Sequence, residues 1–373
     1  MSPHDKGATA LAVPDWLREP VGLAPGVTLV TGAGGHPLLF HPGTGTYVRL
    51  SRTGASLVPL LDGTHTGTAL LAAAGRSRGP EGVRDRAAAL LTFLSDLRAA
   101  GVLSVPPEQL RGAARVLARL ARLTPRVRIP ARYLTRLIGP PAAAMARFPR
   151  LAVIAALLVA AASATAVIMA LTLPIAPVFG GPRWTLILGA LLTQAAVHEL
   201  SHATACQALG IPVREAGVKL FCLLIPLTYV DRTDAYRIRS RAGRAAVALA
   251  GPLVDVAAAG LSSLLILTYP AQLSELRWLL GLQLIVVVNN LNPLLPTDGH
   301  HAVEAAIGEL NMGHRASAYL AHALFRVPLS SAHRAISPAR RRTYLAYGVV
   351  STAFLAMTLT MIAINLSRLI YVR

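Results

Sequence analysis

Five apolar runs, at about 150–173, 184–209, 244–268, 276–294 and 344–370, set the strongest limit on how this chain can fold. A helix rises about 1.5 Å per residue, so roughly 20 residues cross the ~30 Å hydrocarbon layer of a bilayer, and each run meets or approaches that length. A water-soluble core burying all five would leave little polar surface: 54% of the 373 residues are hydrophobic and the mean hydropathy is +0.53. The expected class is a multi-pass α-helical membrane protein of about five spans.

The net charge of +19 suits either nucleic acid or an anionic membrane. Because the basic residues gather beside the apolar runs, they read as topology signals and contacts to anionic lipid, and no nucleic-acid partner is expected. From Arg111 to Arg150 there are ten arginines and no acidic residue, interrupted by Pro125, Pro130, Pro140, Pro141 and Pro149. Residues 107–148 therefore read as a basic linker on the membrane surface, with everything before it in the cytoplasm. Alternating the spans from there puts the second and fourth in the same direction. It also returns the loop Gly299–Thr343, with Arg315, Arg326, Arg334 and Arg340 to Arg342, to the cytoplasm.

The start, "MSPHDKGATALAVPDW", has no apolar core of a cleaved signal, and residues 1–14 are expected to be disordered. With only Cys206 and Cys222, neither a disulfide framework nor a tetra-cysteine zinc site is possible. Lysine occurs only at Lys6 and Lys219 beside many alanines, which suggests a GC-rich bacterial genome and hence a bacterial plasma membrane.

Residues 15–106 have the character of a small α+β domain. "HPLLFHPGTGTYVRL" reads as two strands around a Pro-Gly-Thr-Gly turn, and helical patterns follow at "SRTGASLVPLL", "THTGTALLAAA" and "EGVRDRAAALLTFLSDLRAAGVL". "TGAGG" and "PGTGTY" lack the lysine of a phosphate loop and read as turns. On "YVRLSRTGASLVPLLDG" and "FLSDLRAAGVL" the domain resembles the PqqD-like precursor-peptide recognition domain, a winged-helix fold that binds the leader of ribosomally made peptides. A helix expected over Thr64–Gly75 carries no Lys or Arg, which argues against groove-reading of DNA and for peptide pairing along a strand edge.

The chemistry begins at "TQAAVHELSHATACQALG". Ionisable groups inside a membrane span are costly unless partnered, so they mark a site. "HELSH" matches H-E-x-x-H: His198 and His202 share a helix face and can hold one zinc ion, with Glu199 beside them as general base. A third ligand is needed. Ala205 and Ala208 stand where a metzincin has Gly and His, and Glu215 is too close for a thermolysin-like ligand. Glu275 and Glu304 remain open by spacing, and Cys206 either approaches the metal or is a small packing residue. In "NNLNPLLPTDGHH", Pro293 and Pro296 break the fourth span and Gly299 permits a sharp turn, so Asp298 can point into the bundle.

Together these motifs resemble the site-2 protease family of intramembrane zinc metalloproteases, which pairs H-E-x-x-H with N-x-x-P-x-x-x-x-D-G, here Asn290, Pro293, Asp298 and Gly299. The resemblance implies a protease domain over 149–373 with Asp298 as third zinc ligand and Asn290 helping to hold substrate or oxyanion. Thr297 departs from the usual leucine, and His300 and His301 are open as further groups at the site. Asp255, an acid in the third span, is open as a group behind the ligands, a proton relay or a simple pairing partner. Tyr229, Asp231 and Asp234 read as turn and interface residues. "GVKLFCLLIPLTYVDRTDAYRIRSRAGRAAVALAGPLVD" resembles the strand-rich connection and Ala-Gly-Pro helix of bacterial members.

Both resemblances together imply a membrane peptidase removing the leader of a ribosomal modified peptide, as in clusters of the daptide type, with a peptide exporter as a further expected partner. A protease cutting a membrane-anchored anti-sigma factor, or a non-catalytic export or immunity factor, are the alternatives.

Overall fold

The computed structural model describes residues 14–32, 35–44, 46–76, 83–106, 126–173, 182–221, 225–269, 273–309, 311–327, 329, 333 and 336–371. The chain divides into two compact units, Met1–Arg115 with Pro328–Ile336, and Val116–Val327 with Ser337–Arg373.

In the first unit, β2 (Thr28–Thr31), β3 (Pro37–His41) and β4 (Thr46–Arg49) form an antiparallel meander, with Leu38 opposite Arg49 and Phe40 opposite Tyr47. The pair β3–β4 is the hairpin expected around the Pro-Gly-Thr-Gly turn. The Ser51 hydroxyl accepts the Gly54 amide at 2.9 Å and so starts α1 (Arg52–Leu57). The helix expected from Thr64 begins later. Asp62–Thr66 is strand β5, paired with β1 (Pro20–Gly22), and only then does α2 (Gly67–Arg76) follow. The partner lies some forty residues away, so local helix preference is overridden by a pairing no local window contains. On α3 (Val83–Ala99), Leu90, Leu94 and Leu97 recur at helical spacing and are buried against Leu17, Val21, Leu39, Leu61 and Leu70.

The second unit is mostly helical. Among the described residues three helices are long and apolar enough to cross a membrane: α5 (Pro149–Thr172), α7 (Arg241–Thr268) and the Pro338–Asn365 part of α11 (Pro338–Tyr371). Leu157, Leu158, Ile168 and Leu171 of α5 and Met357, Leu359 and Met361 of α11 are exposed, an apolar surface suited to lipid. The other two expected runs are helices as well, α6 (Trp184–Ala208) and α8 (Leu273–Asn290), but they carry more polar groups. Helix α7 is central and packs against α5, α6, α8 and the short α9 (Asp298–Ile307). Its closeness to α5 depends on Gly260, where a Cβ would lie 2.4 Å from Ser163 Oγ. Helix α10 (Met312–Phe325) packs on α11.

Part of the stretch expected as a surface linker is folded. Arg126–Pro130 is strand β6, the first of an antiparallel sheet in the order β6, β7 (Glu215–Phe221), β8 (Ile225–Val230), and Ala131–Arg147 is helix α4. Leu134 and Ile138 of α4 are buried with Ala203 of α6, Ala216 of β7 and Val230 of β8. This apolar seam holds the end of the hairpin against α6.

Candidate metal centre

The sequence brings His198 and His202 to one face of α6 by their spacing of four, one helical turn apart. Asp298 reaches them because α8 stops at Asn290 and the chain runs irregularly through the Pro293–Pro296 segment before restarting at Asp298. The carbonyls freed there are satisfied: Thr297 Oγ1 donates to the Asn292 oxygen at 2.8 Å and Tyr347 Oη to the Pro293 oxygen at 2.6 Å. Gly299 is required by close approach. A Cβ there would lie 2.3 Å from the carbonyl oxygen of Leu291.

Asp298 Oδ2 lies 3.0 Å from His198 Nε2 and 3.1 Å from His202 Nε2, and the two nitrogens are 3.2 Å apart. All three residues are buried. The second ring nitrogen of each histidine is committed. His202 Nδ1 lies 2.6 Å from the Val247 carbonyl, which only accepts, so this nitrogen carries the proton. His198 Nδ1 is 2.8 Å from Asp255 Oδ2 and donates to that carboxylate. In neutral imidazoles so oriented, both Nε2 atoms present lone pairs to each other and to a carboxylate oxygen.

Three acceptors converging in a buried space call for a cation. A proton serves one pair at a time, whereas a metal ion serves all three. The triangle has the right size, since a tetrahedral zinc with bonds of 2.0–2.1 Å separates its ligand atoms by about 3.3–3.4 Å. Space is kept for it: a Cβ on Gly251 of α7 would sit 2.4 Å from both Nε2 atoms. The residues therefore fit a His-His-Asp zinc set.

Asp255, one turn beyond Gly251, is almost wholly buried and accepts three side-chain donors: His198, Gln194 Nε2 at 2.9 Å and Asn290 Nδ2 at 2.8 Å. Gln194 in turn accepts from Gln283 Nε2 at 3.0 Å. Gln283 meets Gln194, and Asn290 reaches His198 through Asp255, so α6 and α8 run in the same direction, as expected for the second and fourth apolar runs. Asn290 is thus brought to the site, with one amide hydrogen engaged by Asp255. Glu199 Oε2 accepts the Val230 amide of β8 at 3.1 Å, and Arg232 Nη1 donates to Asp298 Oδ1 at 2.9 Å. His198, Glu199, Asp255, Asn290 and Arg232 line one cavity of about 510 Å³, with Thr228, Tyr229 and Val230 along its wall.

The other candidates are used elsewhere. His300 contacts Tyr347 Oη at 2.6 Å and Glu304, and His301 contacts Glu304. Glu275 pairs with Arg183, and Glu215 accepts from Tyr229 Oη. Cys206 is packed with Ile238 and Val247; Cys222 lies outside the described residues. Asp234 pairs with Arg214 at the turn after β8. Four neighbours of the site were given no role from the sequence: Gly251, which entered only as the middle residue of the Ala-Gly-Pro helix, Gln194, Gln283 and Arg232. The first three lie one or two turns from Asp255, His198 and Asn290 on the same faces, a spacing signal that was there to read. Arg232 had none.

Residues 38–103 match the family model described as Coenzyme PQQ synthesis protein D (PqqD). The match runs from β3 to just past α3, and it supports the resemblance of the first unit to a precursor-peptide recognition domain. No curated protein and no solved structure matches the chain.

Proposed function

We propose that the chain is a membrane-embedded zinc metallopeptidase of site-2-protease type that removes the leader of a ribosomally made modified peptide. The observation that carries the reading is the convergence of His198 Nε2, His202 Nε2 and Asp298 Oδ2 within about hydrogen-bond distance, with both imidazole Nδ1 atoms already committed. In this reading α6 and α8 also cross the membrane, giving five spans, and the first unit faces the cytoplasm beside an anionic leaflet.

A bound zinc ion supplies a Lewis acid for the scissile carbonyl and brings the acidity of water to near neutrality. Glu199, next in sequence to a ligand and lining the same cavity, takes the proton from that water and delivers it to the leaving amine. Asn290 keeps one amide hydrogen beyond its bond to Asp255 and donates it to substrate. Strand β8 is at the edge of its sheet, and its Thr228–Val230 segment borders the cavity. An extended peptide pairing there has its carbonyls released from helical hydrogen bonds and open to attack. The PqqD-like unit supplies the first hold on the precursor, which the linked protease domain then meets at high local concentration.

The test uses full-length protein in detergent with precursor peptides encoded beside it. Wild type should hold about one zinc and shorten one precursor at a single bond. Glu199→Ala should keep the zinc, bind the precursor equally and leave it intact. Cleavage at the wild-type rate by that variant overturns Glu199 as the general base, and binding without cleavage by wild type sinks the peptidase reading in favour of an export or immunity role.

A further inference from the structure

Arg232 is the cation nearest the metal triad, and its guanidinium is little used. Among the described residues its one side-chain partner is Asp298 Oδ1, reached through Nη1 at 2.9 Å. A guanidinium carries five N–H donors, so most of them remain for another acceptor. The side chain is about 29% exposed and borders two cavities, the one containing His198 and Glu199 and a second of about 350 Å³ lined by Arg244, His301 and Glu304. The residue thus borders the open space beside His198 and Glu199.

The backbone that carries it is fixed on both sides. The Asp231 amide donates to the Glu215 carbonyl at 2.8 Å and ends the β7–β8 pairing, and the Ala235 amide donates to the Arg232 carbonyl at 2.8 Å and opens the turn Thr233–Arg237. Arg214 locks that turn by a two-point pair with Asp234, at 2.7 and 3.0 Å. Two residues earlier, the Val230 amide holds Glu199. One rigid hairpin end thus presents an amide to the general base and a guanidinium to the third ligand.

A cation beside a zinc site opposes the metal electrostatically, so as a mere brace for Asp298 an arginine is a poor choice. It becomes favourable once an anion forms between it and the metal. Resting on the peptidase reading above, we propose that Arg232 is a catalytic residue that contacts the substrate: its free N–H groups donate to the peptide carbonyl oxygen as that oxygen gains negative charge. Water adds to the carbonyl carbon, the carbonyl π electrons move onto oxygen, and collapse of that pair expels the amine, which takes the proton held by Glu199. Arg232 binds the charge throughout and exchanges no proton.

The experiment compares wild type, Arg232→Gln and Arg232→Lys in detergent, using a fluorogenic peptide that wild type cleaves and its phosphinic analogue, in which PO2–CH2 replaces the scissile CO–NH. Zinc content is measured on each. Both variants should hold as much zinc as wild type and keep KM, while kcat falls roughly 10²–10³-fold in Arg232→Gln and phosphinate affinity falls by the same factor. Lysine keeps the charge but not the fork, so its loss should be smaller but clear. Unchanged phosphinate affinity, or kcat restored to wild type by saturating zinc, overturns the proposal and leaves Arg232 as an anchor of Asp298. If wild type cleaves no peptide, the peptidase reading itself fails, and the proposal with it.

Discussion

His198 Nδ1 and Asp255 Oδ2 are 2.8 Å apart, and the same oxygen accepts the Asn290 amide at the same distance. One carboxylate on α7 therefore fixes the tautomer of His198 on α6 and the orientation of a polar group from α8. An acid inside an apolar bundle is costly, and here three donors offset that cost.

Asp255→Asn should weaken zinc binding by about 10–100-fold, the usual effect of removing the partner behind a ligating histidine. The substitution is isosteric, but an asparagine has one acceptor oxygen and an NH2 group that would face a donor. Competition for zinc with a fluorescent chelator reads the effect. An unchanged zinc affinity would show that Asp255 balances the bundle's polar groups without serving the ligand.

Gly251→Ala should abolish zinc binding. In most helices alanine is favoured over glycine by about 1 kcal/mol, so on helix propensity alone the variant should be the more stable protein. The new Cβ, however, would lie 2.4 Å from both ligand nitrogens. Zinc content and thermal stability should therefore separate: little or no metal in a protein that melts near the zinc-free wild type.

These relationships explain how much of the site was legible in the sequence. The helix period put His198 and His202 on one face, and the proline-broken segment delivered Asp298 to them, so the convergence of the three side chains was readable from spacing and from the resemblance together. The hairpin Pro37–Arg49 was readable from the Pro-Gly-Thr-Gly turn between two short apolar runs. What depends on partners distant in sequence was not. Strand β5 needs β1, and the Arg126–Pro130 strand needs β7 some ninety residues on. Arg232 acquires its place only when the hairpin closes over α6, so nothing near it in sequence marks it.

The corner between α9 and α10 should respond to pH in a defined window. Burial alone would raise the Glu304 carboxyl, but hydrogen bonds from His300 and His301, the charge of His300 and the Met312 amide bring it from 4.5 down to about 2. A lowered carboxylate contributes stability that is full above 4.5 and lost as pH falls from there through about 2. The bond to Glu304 raises His300 above its ordinary 6.5 in spite of burial, and this contribution is full below 6.5 and lost as pH climbs through the raised value. Hydrogen exchange at the Met312 amide should be slowest between about pH 4.5 and 6.5, after correction for intrinsic rates. In Glu304→Gln that dependence should flatten.

Zinc should stabilise the fold, because the folded chain brings the three ligand atoms together and the unfolded chain does not. The ligand atoms are already within 3.0–3.2 Å of one another, held by Val247, Asp255 and Arg232, so little ordering remains to be done on binding. Free zinc at 1,000 times its dissociation constant then adds about 4 kcal/mol to stability, and the melting temperature should rise with the logarithm of zinc concentration. Asp298→Ala removes one ligand and leaves Arg232 unpaired beside the two histidines, so its melting temperature should be lower and nearly independent of zinc. An equal zinc-dependent rise in that variant would place the third ligand elsewhere and dissolve the link between the two motifs.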